Sequence, residues 1–158
     1  MLALRFVAAL AVAVWLGGTV AIASVVAPSA FTVLTTSDAA LLVGETLRRF
    51  HLVSYGAGVV VLAAFVVMAA LGPRPRAFGL RLATVAAMLV ATLVSGLWID
   101  RRIAALRGTI GAPVSSLPAE DPRRIAFGRL HGLSTVLMGL TAVGGVLLLY
   151  LDARDTRS

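Results

Sequence analysis

Apolar residues run without interruption by charge in four separate stretches of the chain. These stretches are Phe6 to Ala27 (22 residues), Leu52 to Leu71 (20), Leu82 to Ile99 (18) and Gly132 to Leu151 (20). Each is long enough to cross a hydrocarbon core ~30 Å thick as a helix that rises ~1.5 Å per residue. We therefore predict an all-α polytopic membrane protein. It should form a four-transmembrane antiparallel helix bundle, with spans at about 6–27, 52–71, 80–99 and 130–151 in a single domain over residues 1–158.

Polar and helix-breaking residues predict where these helices begin and end. Helix 1 should end near Pro28, because the proline ring cannot continue an ideal helix. The segment Thr35 to Asp38 supplies N-cap chemistry for an interfacial helix that leads into span 2. The pair Asp121-Pro122 is a cap followed by proline at the first helical position, which starts the last helix well before its span. Two prolines and a glycine between Gly72 and Arg76 predict a tight turn between antiparallel spans 2 and 3.

Composition supports the membrane assignment and narrows the chemistry. The chain is 59% hydrophobic and only 13% charged, against about 25% charged in soluble domains. It has no cysteine, which excludes disulfides, thiolate metal sites and cysteine nucleophiles. No Walker loop, dinucleotide fingerprint, nucleophile elbow or zinc-protease motif occurs, so the sequence does not favour an enzyme.

Every one of the 14 basic residues is arginine, and the net charge is +7. Arginine stems lie along apolar surface while their guanidinium groups reach lipid phosphates, so this charge indicates a lipid bilayer partner and no nucleic acid. The sequence leaves open whether a protein partner or a second copy of the chain also binds.

The arginines also bear on the topology of the chain. The first apolar stretch is too long for the core of a cleaved signal peptide, so we interpret it as a retained helix. Four spans place both termini on one side, with six arginines there and eight on the other, a balance that does not decide the orientation. Arg5 in the short N-terminal tail and the arginines of the 72–81 turn favour cytoplasmic termini. We expect an integral protein of the cytoplasmic membrane of a bacterium.

The candidate chemistry lies at the side opposite the termini. The chain has two histidines, His51 and His131, which open spans 2 and 4 within similar local sequences 80 residues apart. Because these two spans run in the same direction, the histidines should lie at nearly equal depth, each with a serine one helical turn deeper. Span 3 ends on the same side with an acidic and a basic residue. The predicted binding cluster is His51, His131, Asp100, Arg101, Ser54 and Ser134.

Three interpretations of this cluster stay open. Ionisable groups near hydrocarbon usually face a watery interior, and imidazole changes charge readily near neutral pH, so the cluster could hold a small polar solute, a proton or an ion. His51 and His131 could instead be ligands of copper or axial ligands of haem b. A third possibility is a purely structural or partner-binding membrane subunit, in which histidines and arginines only anchor the helices.

Several short motifs together resemble a known group of membrane proteins. They are Trp15-x-Gly17-Gly18, Pro28-x-x-Phe31, Phe50-His51, Trp98-x-Asp100-Arg101 and Phe127-x-x-Leu130-His131-Gly132-Leu133-Ser134. The chain resembles an uncharacterised four-helix membrane family of the DUF type that includes the vertebrate transmembrane protein associated with cisplatin resistance. The resemblance implies a polytopic membrane protein without established catalysis. More distantly the chain is similar to the copper-resistance-D and HemJ-like proteins, some of which bind copper or haem through histidines in their spans.

This sequence departs from that family at two places. Asp100 stands where the resemblance leads us to expect glutamate, and the loop over residues 108–122 is shorter. A function carried by that loop is therefore not implied for this chain.

Overall fold

Four long helices make up the protein. The computed structural model describes residues 2–72, 75–111 and 113–155, and within those ranges it contains no strand. The helices are α1 (Leu2–Val33), α2 (Thr36–Leu71), α3 (Phe78–Ile110) and α4 (Pro122–Asp155), and each is long and apolar enough to cross a membrane. A short 3-10 turn, Val114–Ser116, lies between α3 and α4. The predicted all-α, four-span fold class is confirmed, and each charge-free stretch lies within one helix.

The helices begin and end at residues whose chemistry suits those positions. The Thr35 Oγ1 atom accepts a hydrogen bond from the Asp38 amide at 3.2 Å, and the Arg123 amide donates to the Asp121 carboxylate at 2.8 Å. Both predicted N-caps are thus confirmed. Helix α3 continues past the predicted loop start at residue 108 and ends at Gly111, whose left-handed φ of 66° suits a glycine cap. Part of the predicted 72–76 turn, residues 73 and 74, lies outside the described residues.

All four helices are longer than the membrane is thick. They contain 32 to 36 residues, or ~48–54 Å at ~1.5 Å per residue, against a hydrocarbon core of ~30 Å. We call the side with both termini the terminal face and the opposite side the loop face. On the loop face the extensions of α2, α3 and α4 pack together. Arg107 joins them, because it donates to the Ala40 carbonyl at 3.2 Å and lies 5.4 Å from the centre of the Phe127 ring.

The apolar core fills the half of the bundle nearer the terminal face. Trp15, Val61 and Val85 are almost fully buried there, and Phe65 and Met88 pack against them. Lipid-facing positions such as Val143, which is 68% exposed, carry large apolar side chains. This arrangement is what a membrane bundle requires, because its outer surface contacts hydrocarbon and only its interior packs against protein.

Two helices contain a widened, π-helical turn at the same end of the bundle. In α1 it covers Ile22–Val26, and in α3 it covers Val94–Ile99. Residues after each turn donate five positions back, as the Ala27 amide does to the Ile22 carbonyl. The prediction that helix 1 ends near Pro28 is wrong, since the helix continues to Val33. The widened turn accommodates the proline, whose missing amide hydrogen would interrupt a regular α-helix.

A buried ion-pair cluster closes the terminal face between α3 and α4. The Arg81 guanidinium is 4% exposed and lies 2.9 Å from Asp155 Oδ2 and 3.7 Å from Asp152 Oδ1. It also donates to the Leu151 carbonyl at 2.7 Å, near the end of α4. The sequence suggested only a headgroup-contacting arginine here. The structure shows instead that Arg81 ties the start of α3 to the end of α4.

Candidate functional site

A histidine and an aspartate meet just inside the loop face. The Nδ1 atom of His51 on α2 lies 3.0 Å from Oδ2 of Asp100 on α3, with 12% and 26% of the two side chains exposed. Within the described part of the chain, that carboxylate oxygen is buried and makes no hydrogen bond. The contact is a close approach of an imidazole nitrogen to a carboxylate oxygen, which is an ion pair only when the ring is protonated. Tyr55, one turn deeper on α2, stacks against the imidazole with ring centres 6.3 Å apart.

The widened turn of α3 brings Asp100 to this position. In a regular α-helix two residues five apart differ by about 140° around the axis, so Ser95 and Asp100 would point in different directions. Here the Asp100 amide donates to the Ser95 carbonyl, which stacks the two residues one above the other. Ser95, Ile99 and Asp100 can therefore all face the bundle.

Gly96 makes the approach of His51 possible. A Cβ atom built at Gly96 would overlap the Tyr55 hydroxyl and would lie 2.8 Å from His51 Nδ1. The absence of a side chain at this position therefore lets α2 present two polar side chains against α3.

The second histidine lies near the opening of the same region on α4. His131 is exposed and stacks on Phe127 with ring centres 6.0 Å apart and planes 4° from parallel. One turn deeper, the Ser134 hydroxyl lies 3.0 Å from that of Ser95. This contact joins α4 to the widened turn of α3.

These residues surround a cavity between all four helices. Its volume is about 80 Å³, and one water needs only ~10–15 Å³ on this measure, so several waters or one small solute fit. Nine of its sixteen lining residues are polar. The polar residues are Thr19, His51, Ser54, Thr92, Ser95, His131, Ser134, Thr135 and Thr141.

The cavity reaches far into the membrane. On α4 its lining extends from His131 to Thr141, ten residues or ~15 Å along the helix axis, which is about half of the hydrocarbon core. Trp15 also lines it and begins the apolar core that fills the other half. The structure thus places polar side chains among apolar ones from the loop face to mid-membrane, and apolar packing closes it beyond that depth.

One buried hydroxyl in the wall of the cavity lacks a partner. The Oγ atom of Ser54 makes no hydrogen bond within the described residues, although the residue is only 1% exposed. A buried hydroxyl without a partner costs about 1–3 kcal/mol. A polar occupant of the cavity would remove this cost.

A comparison with protein families matches residues 10–111 to a domain of unknown function, DUF4149. The chain belongs to the DUF4149 family. The prediction of a DUF-type family is thereby confirmed. The DUF4149 match covers most of α1 and all of α2 and α3, so it includes His51 and Asp100 but stops before His131 on α4. Comparison with curated proteins and with solved structures finds no match.

In this DUF4149 protein, most of the predicted cluster lies at the cavity and one residue lies on the exposed surface. His51, Ser54, His131 and Ser134 all line the cavity, and Asp100 contacts His51. Arg101 is exposed and does not belong to the lining of the cavity. The threonines of the lining were missed, although a hydroxyl residue inside each of spans 1, 3 and 4 was a signal that could have found them.

The cavity does not fit a resident haem, and its wall offers a copper ion no more than two histidines. A volume of about 80 Å³ is well below the ~300–1,000 Å³ of sites that enclose cofactors. No group of three or more histidine, aspartate or glutamate side chains suited to a metal occurs in the described ranges. The Nδ1 atom of His51 faces Asp100, and the His131 ring stacks on Phe127.

Proposed function

We propose that this integral membrane protein binds a small polar solute in the cavity, which opens at the loop face and ends at mid-membrane. The main support is the set of polar side chains in the cavity wall, which on α4 extends from His131 to Thr141 inside an otherwise apolar bundle. Polar groups at this depth are costly unless they contact water, each other or a ligand. The unpartnered hydroxyl of Ser54 supports a ligand, because the protein itself does not satisfy it.

The His51–Asp100 pair is the proposed protonatable part of the site. Imidazole and carboxylate groups both exchange protons with water, and His51 lies in the wall of the cavity, 3.0 Å from Asp100. Binding of the solute and protonation of this pair would then influence each other. The same pair is where movement of a solute across the membrane could be coupled to a proton.

The apolar core and the Arg81 cluster close the terminal face in the structure. If the protein also transports its solute, a second conformation must open that face. The conformation described above supports only the binding of the solute from the loop face.

Labelling of single cysteines tests whether the cavity holds water. The natural chain has no cysteine, so Thr141→Cys places one thiol at the deep end of the cavity. Two matched controls are Val143→Cys, two residues away but facing lipid, and Val85→Cys in the apolar core. Iodoacetamide is small and neutral and reacts with thiolates in water. We expect it to alkylate Cys at 141 much faster than at 143 or 85, and equal rates would refute a hydrated cavity.

The orientation in the membrane is part of the proposal. Arg5 and the arginines near the 72–77 connection favour cytoplasmic termini in a bacterial cytoplasmic membrane. The cavity would then open to the outside. Impermeant maleimide on intact cells should label Thr109→Cys at the loop face and spare Leu2→Cys near the N-terminus. The reverse pattern would place the cavity mouth in the cytoplasm.

The narrower family resemblances also remain predictions. The similarity of this chain to the cisplatin-resistance-associated protein, and to the copper-resistance-D and HemJ-like proteins, rests on short motifs. A single domain over residues 1–158 is likewise what the shared cavity favours, since all four helices contribute to it.

A further inference from the structure

The hydroxyl groups that line the cavity are turned so that they present oxygen lone pairs. Four threonines, Thr19, Thr92, Thr135 and Thr141, each lie 2.8–3.0 Å from the backbone carbonyl four residues earlier in their own helix. A carbonyl oxygen only accepts, so each threonine must donate its single hydroxyl hydrogen to it. Their oxygens keep lone pairs and therefore act toward the cavity as acceptors.

The two histidines of the cavity wall add further acceptors. A neutral imidazole keeps one nitrogen lone pair whichever nitrogen carries its hydrogen, and this holds for His131 and for His51, which lies against Asp100. The Asp100 carboxylate beside His51 makes the local potential more negative. No arginine occurs among the described residues that line the cavity, although arginine is the chain's one basic residue type apart from histidine.

Hydrogen-bond donors are fewer in the same wall: each neutral histidine has one N–H, and the Trp15 indole has another. Ser95 and Ser134 share one hydrogen bond, so one hydrogen of that pair is uncommitted, and Ser54 has the other free hydroxyl hydrogen. A solute that carries its own donors and a positive charge matches this arrangement, whereas an anion would meet mostly lone pairs. Trp15 offers an aromatic surface at the bottom of the cavity, which also favours a cation.

We infer that the solute is a small nitrogen cation with N–H groups, ammonium or a primary alkylammonium. This inference rests on the proposed function and names the chemical class that the same cavity takes. Alkali metal ions fit less well, because hard cations prefer a shell of oxygen ligands and one acceptor here is an imidazole nitrogen. The arginines of the loop face lie outside the cavity, where they slow the approach of a cation without changing the contacts inside.

The two tryptophans of the chain allow a direct binding test. Trp15 lines the cavity and is 1% exposed, whereas Trp98 is 46% exposed and lies beneath Arg102. The Trp98→Phe variant in detergent or nanodiscs therefore reports only from the cavity. Ammonium chloride and methylammonium chloride are titrated at constant pH, with choline chloride keeping the ionic strength fixed. We expect a saturable change in Trp15 emission with both, and none with tetramethylammonium or sodium formate.

Isosteric substitutions connect that signal to the wall of the cavity. Thr92→Val and Thr141→Val each remove one acceptor and should weaken ammonium binding about tenfold or more, as expected for a hydrogen bond to a charged group. Thr32→Val is the matched control, because Thr32 makes the same bond to its own helix but is exposed and outside the cavity. Equal affinities in all three variants would overturn the assignment, as would an equal response to potassium.

The test separates this inference from the proposed function. If Cys at 141 is alkylated but Trp15 does not respond to ammonium, the cavity is hydrated and only the nitrogen-cation assignment fails. If Cys at 141 is as unreactive as its lipid-facing control, the proposed solute site fails and the assignment fails with it. A response to formate with none to ammonium would show the opposite polarity and also overturn the assignment.

Discussion

Replacing Arg81 with methionine should destabilise the bundle strongly. The guanidinium is 4% exposed and its partner Asp155 is 7% exposed, so the variant leaves a carboxylate buried without a counter-charge. Removing one partner of a buried pair costs about 3–5 kcal/mol. Because Asp152, the second carboxylate, is 29% exposed and keeps its water, we expect a loss of about 3 kcal/mol in the free energy of unfolding.

The double variant Arg81→Met/Asp155→Leu distinguishes charge from packing. Replacing a buried ion pair by apolar residues of similar size is often neutral or stabilising, so this variant should unfold within about 1 kcal/mol of the natural chain. Unfolding by sodium dodecyl sulfate in mixed micelles, followed by circular dichroism, measures both. Arg76→Met is the control, since Arg76 has an exposed side chain and contributes a backbone carbonyl to the cluster. If the single and double variants lose equal stability, the uncompensated carboxylate is not the cause.

Three further predictions concern the loop face. Gly96→Ala should push His51 away from Asp100, because the new Cβ would lie 2.8 Å from His51 Nδ1. The free energy of unfolding should fall by about 1–3 kcal/mol. An unchanged unfolding curve and an unchanged ammonium affinity would contradict this. Hydrogen bonds from Arg123 lower the pKa of the Asp121 carboxyl in the folded protein. The cap should therefore stabilise α4 fully above the pKa that Asp121 has in the unfolded chain, and weaken as the pH falls through its lower folded pKa. Amide exchange at the start of α4 measures this change. Purified protein should show neither a Soret band nor stoichiometric copper; a band that both His51→Ala and His131→Ala remove would overturn the fit argued from the cavity.

The pattern of apolar residues was sufficient to predict the four helices. A charge-free run of 18 or more residues has few alternatives to a membrane helix, and caps such as Thr35 act through atoms two or three residues away. Both signals are local, so they could be interpreted without knowledge of the packing. The prediction that His51 and His131 lie at one end of the bundle used the direction of the spans, and both residues line the cavity.

The contacts of the site could not be predicted from the sequence, because they depend on how the helices pack. The widened turns at residues 22–26 and 94–99 have no distinctive composition, since a π-helical turn depends on the surrounding packing as much as on its own residues. Without the second turn, Asp100 could not be placed against His51. Arg81 looked like any arginine at the end of a span, and only the packing of α3 on α4 shows that it is buried.

The widened turn in α3 separates the helix into two parts whose registers are set independently. One additional residue rotates everything that follows by about 100° relative to what precedes it. The part before the turn can thus keep Val85 and Met88 in the core while the part after it directs Asp100 toward α2. The loss of one codon between residues 94 and 99 would turn the carboxylate away from His51 and leave the core residues where they are. In this DUF4149 chain, the length of the segment from residue 94 to residue 99 therefore decides whether Asp100 faces His51.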